Sequence, residues 1–327
     1  MTLPGGVEAA DGERAGGIDR VATAVRIATE AFPDGSANVV LARADDYPDA
    51  LTATSLAGVL DAPVLLTYGD SLPSDTLQAI QRLRPQEIFL LGGSGAVSLT
   101  VENVLLRNYI VRRVSGGDRY GTAAAIARDT ISRNGGEVGT YQGRTTVLMA
   151  SAESFADTLT GAPLAYGNNL PVLLTRAEAM PTSTRAALTA ADPEAVIILG
   201  GTAAISGDVA TSIQAMGIEV SRIGGNNRSE TSLQFNEFVS ATFDQERPNV
   251  IVARGDNFPD ALVGATLAGR ASTPIILADS PAVLGRSAET YLRDRCGRIE
   301  QVQALGGNLA VSESVLNRAV GLATDCP

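Results

Sequence analysis

The 327-residue chain contains no histidine, no tryptophan and no lysine; all 25 of its basic residues are arginine. The lack of histidine excludes a Ser-His-Asp triad, a histidine metal site and a histidine general base. The lack of lysine excludes Schiff-base chemistry and a Walker-type phosphate loop. Two cysteines are too few for an all-cysteine zinc site. No metal and no cofactor is expected. No apolar run reaches the length of a membrane-spanning helix. The opening Met1-Thr2-Leu3-Pro4-Gly5-Gly6 lacks the charged and apolar regions of a secretion signal, which leaves a cytosolic protein or one whose signal has been removed. Thirty-six acids against 25 arginines give a net charge of -11, the reverse of a duplex nucleic-acid footprint. No nucleic-acid partner is expected, and an anionic ligand would need locally grouped arginines.

Cys296 and Cys326 both lie near the C-terminus. Paired, they would close a loop of about 30 residues, stabilise the fold by roughly 3–4 kcal/mol and imply an oxidising compartment. The alternative is two unrelated thiols.

Within an ordinary globular composition, 45% hydrophobic and 19% charged, the chain repeats itself. Asn38-Val-Val-Leu-Ala-Arg43 returns as Thr146-Val-Leu-Met-Ala-Ser151 and Asn249-Val-Ile-Val-Ala-Arg254. Asp46-Tyr-Pro-Asp-Ala-Leu51 returns as Ser154-Phe-Ala-Asp-Thr-Leu159 and Asn257-Phe-Pro-Asp-Ala-Leu262. Pro63-Val-Leu-Leu-Thr67 and Leu91-Gly-Gly93 recur in the same order, and each copy opens on a Gly-Gly signal followed by Arg20, Arg119 or Arg228. The Gly-Gly turns are spaced by 108 and 106 residues, too long for a solenoid and long enough for each copy to hold a core. The copies are read as 1–112, 113–221 and 222–327.

Short, wholly apolar runs such as Val39–Leu41, Val64–Leu66 and Ile88–Leu91 predict strands buried on both faces of a parallel sheet. Helical spacing predicts helices over 18–30, 48–60, 73–83 and 98–106, with Pro73 and Pro181 in first turns and Ser98, Ser206 and Ser312 as N-caps. Alternating strands and helices make this an α/β protein of three small doubly wound parallel sheets. A short strand precedes the second and third Gly-Gly signals (110–114 and 218–223), whereas the third copy ends without one. The N-terminal segment or a neighbouring copy is therefore expected to pair with that edge, and a closed threefold arrangement would leave no copy unpartnered.

In parallel sheets ligands bind beyond the carboxyl ends of the strands, where the repeated polar residues fall. Asp49, Asp157 and Asp260 would either stabilise helix N-termini or pair with Asp45 or Asp256 as metal ligands or as an acid/base pair. Arg20, Arg119 and Arg228 would either pair with a repeated aspartate or make charge-assisted contacts to phosphate or carboxylate. Arg43 and Arg254, with Ser151 between them in repeat order, stand at the same strand ends. The Gly-Gly turns would either cradle a phosphate or simply need positive φ. The Pro63–Thr67 run and its echoes read most simply as core strands.

Arg113-Val-Ser-Gly-Gly-Asp-Arg-Tyr120, Asn257-Phe-Pro-Asp-Ala-Leu262, Pro63-Val-Leu-Leu-Thr67 and Leu91-Gly-Gly-Ser-Gly-Ala-Val-Ser98, with their echoes from about Arg14 to Leu322, resemble the cell-wall-binding repeat 2 family. The resemblance implies Toprim-like units in a pseudo-threefold arrangement within one monomer. It further implies a non-catalytic, extracellular, wall-associated protein that grips an anionic polymer of the teichoic-acid type. The Pro-x-Leu-Leu segments are implicated in anchoring in that family. The second copy departs from the pattern at Ser151, Glu153 and Ala156, and the third at Asn226-Asn227, so the three sites are expected to be unequal. Two rivals remain. A surface-assembly module would need an exposed apolar patch. Toprim-like phosphoryl transfer would need acids that the Gly-Gly turns do not carry.

Overall fold

A computed structural model describes residues 11–46, 48–243, 249–257 and 259–326. The opening Met1–Gly6 and the motif aromatics Tyr47 and Phe258 lie outside the described residues. The chain starts with β1 (Asp11–Ala15) and α1 (Arg20–Ala31). It continues through β2 (Asn38–Arg43), α2 (Pro48–Leu51), α3 (Ala53–Val59), β3 (Val64–Thr67), α4 (Ser74–Leu83), β4 (Glu87–Leu91), α5 (Leu99–Leu105) and β5 (Ile110–Val114). The second copy runs α6 (Arg119–Arg133), β6 (Thr140–Tyr141), β7 (Arg144–Ser151), α7 (Phe155–Gly167), β8 (Val172–Thr175), α8 (Thr182–Ala191), β9 (Ala195–Leu199), α9 (Gly207–Gln214) and β10 (Glu219–Ile223). The third runs α10 (Arg228–Phe243), β11 (Asn249–Arg254), α11 (Pro259–Ala271), β12 (Ile275–Ala278), α12 (Arg286–Asp294), β13 (Gln301–Leu305) and α13 (Glu313–Thr324).

These elements build three parallel sheets of one design, β3-β2-β4-β5, β8-β7-β9-β10 and β12-β11-β13-β1, with the short β6 adding an antiparallel pair to β7. The unpartnered edge of the third sheet is filled from the far end of the chain. β1 pairs in parallel with β13, Asp11 opposite Gln301 through Ala15 opposite Leu305. The N-terminal segment thus supplies the pairing that the repeat pattern required. The expected boundary between 112 and 113 falls inside β5, because each edge strand belongs to one sheet and the helix that follows it packs on the next.

Those following helices are the joints. α1 lies on α11 of the third copy and on β3 and α4 of the first; α6 lies on α3 and on β8 and α8; α10 lies on α7 and on β12 and α12. The second helix of each copy is buried on nearly every side, as in α11, where Pro259 through Thr266 are all buried. α3, α7 and α11 pack pairwise and contribute Leu56, Leu159 and Leu262 to one core shared by all three copies. At one end of this helix trio a single cluster spans the copies: the Tyr166 hydroxyl donates to Asp61 at 3.2 Å, and Arg270 pairs with the same carboxylate at 2.9 Å.

Several local expectations shift by a residue or change partner. The predicted helix over 48–60 is divided at Thr52 into α2 and α3. Pro73 and Pro181 occupy the N-cap positions, one residue before the first turn. Ser98 and Ser312 cap Val101 and Val315, whereas the buried Ser206 hydroxyl has no partner among the described residues.

Cys296 and Cys326 form a disulfide that ties the segment after α12 to the end of α13, a sequence separation of 30. Cys296→Ser is expected to lower stability by about 3 kcal/mol in urea denaturation, with faster amide exchange centred on α12 and α13. An unchanged midpoint would contradict this.

Candidate functional site

The chemistry-bearing residues gather where the carboxyl ends of one sheet meet the first turn of the next joint helix. The same construction occurs three times. Arg20 donates from Nη1 to the Ala44 carbonyl at 2.7 Å, Arg119 to Ala152 at 3.3 Å and Arg228 to Gly255 at 2.8 Å. Each arginine thereby holds its helix against the loop after the central strand of the sheet that follows it, β2, β7 or β11. Each of these three bonds reaches a backbone carbonyl. The helices are capped by the residue before each arginine: Asp19 accepts from Ala22 at 2.8 Å, Asp118 from Gly121 at 2.7 Å and Asn227 from Glu230 at 2.9 Å. Asn227 thus fills the place of the aspartates, since a neutral side-chain oxygen caps nearly as well.

Asp49, Asp157 and Asp260 sit in the first turns of their helices, but their carboxylates turn toward the following joint helix. There they face the hydroxyls of Thr122, Thr231 and Thr23 respectively. These same hydroxyls accept the Gly116, Gly225 and Gly17 N–H groups at 3.1, 3.0 and 3.1 Å. An Arg-x-x-Thr spacing in each copy was the available signal for this network, and sequence reasoning missed it. The carboxylates also press on the glycine turns. Gly92, Gly200 and Gly306 have φ of 94, 108 and 85°, and a Cβ on Gly92 would lie 2.5 Å from Asp49 Oδ2. The turns therefore need glycine both for positive φ and for the close approach.

Burial is the main force on these three acids, and it pushes each carboxyl above its ordinary range; the threonine hydroxyls oppose it, and the nearby arginines do so less strongly. A carboxyl raised in the folded state contributes stability below its unfolded pKa and loses it as pH rises through the folded value. Asp45, Asp256, Glu87 and Glu289 are held low by arginine partners and behave oppositely, losing their contribution as pH falls. A triple D49N/D157N/D260N variant keeps only the second group. Its stability in urea is expected to fall more steeply than that of the parent between pH 6 and pH 4. Parallel curves would contradict the raised carboxyls.

A second set of arginines, on the edge strands, also went unassigned in the sequence. Arg14, Arg113 and Arg222 donate to the carbonyls of Gly306, Gly92 and Gly200 at 2.9, 2.7 and 2.9 Å, fastening each edge to the turn beside it. Arg43 and Arg254 are committed differently. Each forms a bidentate pair with an acid two residues on, Asp45 at 2.7 and 2.9 Å and Asp256 at the same distances. In the second copy Ser151 accepts the Glu153 N–H at 3.2 Å instead.

Between the first sheet and α6 these groups enclose an open cleft of about 280 Å³, whose lining includes Arg43, Asp49, Gly93, Gly116, Arg119 and Thr122. Its walls present two guanidinium groups, the carboxylates of Asp46 and Asp118 and glycine backbone, above the part-buried carboxylate of Asp49. That combination suits a chain-like ligand bearing both anionic and hydroxyl groups.

Three segments of the chain, residues 14–102, 113–210 and 222–316, match the family described as cell wall binding domain 2. The chain belongs to this family. As a cell wall binding domain 2 protein it is 28% identical over 324 residues to the amidase enhancer of Bacillus subtilis (strain 168), covering 96% of this chain and 43% of that protein. It is 27% identical over 310 residues to the N-acetylmuramoyl-L-alanine amidase LytC of the same organism, covering 94% of this chain and 57% of that one. Among solved structures it superposes on Cwp6 from Clostridium difficile with a TM-score of 0.86 at 25% identity, over 98% of this chain and 49% of that one. Cwp8 from the same organism shares the fold, with a TM-score of 0.79 at 24% identity. The chain spans about half the length of these relatives. Among the described residues no helix is long and apolar enough to cross a membrane.

Proposed function

We propose that this chain attaches non-covalently and without catalysis to the bacterial cell wall, outside the cell, by binding an anionic wall polymer of the teichoic-acid type. The observation that carries the reading is the arginine-bearing junction that recurs at all three joints of a cell wall binding domain 2 chain. Residues 1–112, 113–221 and 222–327 act as the three wall-binding repeats, closed into a pseudo-threefold, monomeric ring of Toprim-like units. The cyclic packing of α1, α6 and α10 and the return of β1 to the third sheet support that closure. Arg20, Arg119 and Arg228 supply the principal contacts. Arg43 and Arg254 add weaker ones at the rim, because an incoming anion must compete with their carboxylates. Asp49, Asp157 and Asp260 shape the floor and accept polymer hydroxyls. Three weak contacts on a repeating chain reinforce one another.

The rival reading as a protein-assembly module rests on apolar surface, whereas the cleft is lined by guanidinium, carboxylate and glycine backbone. Competition separates the two. Soluble poly(glycerol phosphate) is expected to displace the protein from intact walls, and neutral dextran of the same length is not. Displacement by both, or by neither, would contradict a phosphate-bearing ligand.

A further inference from the structure

We infer that Arg176, with Arg119, forms an oxyanion site at the carboxyl end of the second sheet. The site takes a phosphodiester of the polymer and makes the second repeat the strongest of the three contacts. The inference rests on the reading above and adds a residue that the repeat pattern does not mark. In the first and third sheets the strand-end arginine is consumed by its own acid, Arg43 by Asp45 and Arg254 by Asp256. The second sheet has Ser151 at that position, and the cation moves to the neighbouring strand. Ser151 pairs in register with Thr175, so Arg176 emerges one residue beyond, where the other sheets carry Tyr68 and Asp279. Asp279 is itself engaged, accepting the Ser229 hydroxyl at 2.5 Å.

Arg176 is exposed, and its guanidinium carbon stands 5.4 Å from the centroid of the Tyr120 ring, within cation–π range. Tyr120 is buried and follows Arg119 at the start of α6. Among the described residues no carboxylate lies within ion-pair distance of Arg176, so its N–H fork is uncommitted. Attraction to the face of an aromatic ring draws the guanidinium toward it while its N–H groups remain open to a ligand. An anion arriving here displaces no internal partner, unlike at Arg43 or Arg254.

The test is co-sedimentation with intact walls of the protein's own organism, using R176Q, R176K and R185Q. Arg185, on α8 of the same repeat, is exposed, so R185Q matches the change in net charge. Binding by R176Q is expected to weaken at least five-fold, with partial recovery in R176K, little change in R185Q and unchanged thermal midpoints. Equal binding by R176Q and a wall-bound parent would overturn the inference and leave the anchoring reading standing. Equal losses in R176Q and R185Q would overturn it in favour of net charge. A parent that does not bind walls would overturn the anchoring reading itself.

Discussion

Deletion of residues 1–15 is expected to destabilise the opposite end of the chain. The deletion removes β1, and with it the five-residue parallel pairing to β13. It also removes Arg14, which bonds the Gly306 carbonyl and pairs with Glu313 at 3.4 Å. The fully buried Ala15 is lost as well. At about 1 kcal/mol per net hydrogen bond, partly offset by the ordering entropy of the strand, the loss is about 3–5 kcal/mol. The exposed edge of β13 would be left with unpaired backbone groups. Far-ultraviolet circular dichroism in urea reads the stability, and amide exchange locates it. The account predicts faster exchange in β13 and α13, some 290 residues from the cut, and recovery when a peptide of residues 1–15 is added in trans. A deletion that changes neither stability nor exchange would contradict the closure of the third sheet by β1.

The second large effect concerns binding. Replacing Arg20, Arg119 and Arg228 by glutamine removes the cation and the bond to Ala44, Ala152 or Gly255 together. Each single variant is expected to lose about 1–1.5 kcal/mol of stability through the freed carbonyl. Each is also expected to bind walls several-fold more weakly. On the proposed reading, in which three contacts share one polymer, the triple variant is expected to lose about 100-fold or more, and its residual binding should depend less on salt. Stability and binding are measured on the same preparations. If stability falls while the folded fraction binds walls as the parent does, the arginines serve the fold alone and the ligand lies elsewhere.

Much of the architecture was legible because each repeat carries its own punctuation. The apolar runs of three or four residues have no polar position to expose, so they mark strands covered on both faces. Leu91-Gly92-Gly93 and its echoes mark turns whose positive φ only glycine meets without strain. The missing strand of the third copy pointed to a partner from elsewhere, and β1 is that partner. The cysteine pair was legible from proximity at the C-terminus.

What escaped the sequence is what lies between repeats. Asp49 reads as an ordinary first-turn acid until α6 is placed across from it, when its carboxylate meets Thr122 of another repeat. Thr23, Thr122 and Thr231 look like unremarkable helix residues, although they stand at one spacing from the arginines. Arg176 carries no repeat signal at all; its significance comes from the register of β7 and β8 and from the ring of Tyr120. Periodicity reports the face a residue occupies within its own element, and it carries no information about which neighbouring element that face meets.

The most direct test of the central claim is co-sedimentation of the purified protein with walls of its own organism, before and after acid extraction of the secondary polymers, across a salt series. The account predicts binding to intact walls that weakens as salt rises and disappears once the polymers are removed. Binding that survives extraction, or that is absent from intact walls, would contradict it.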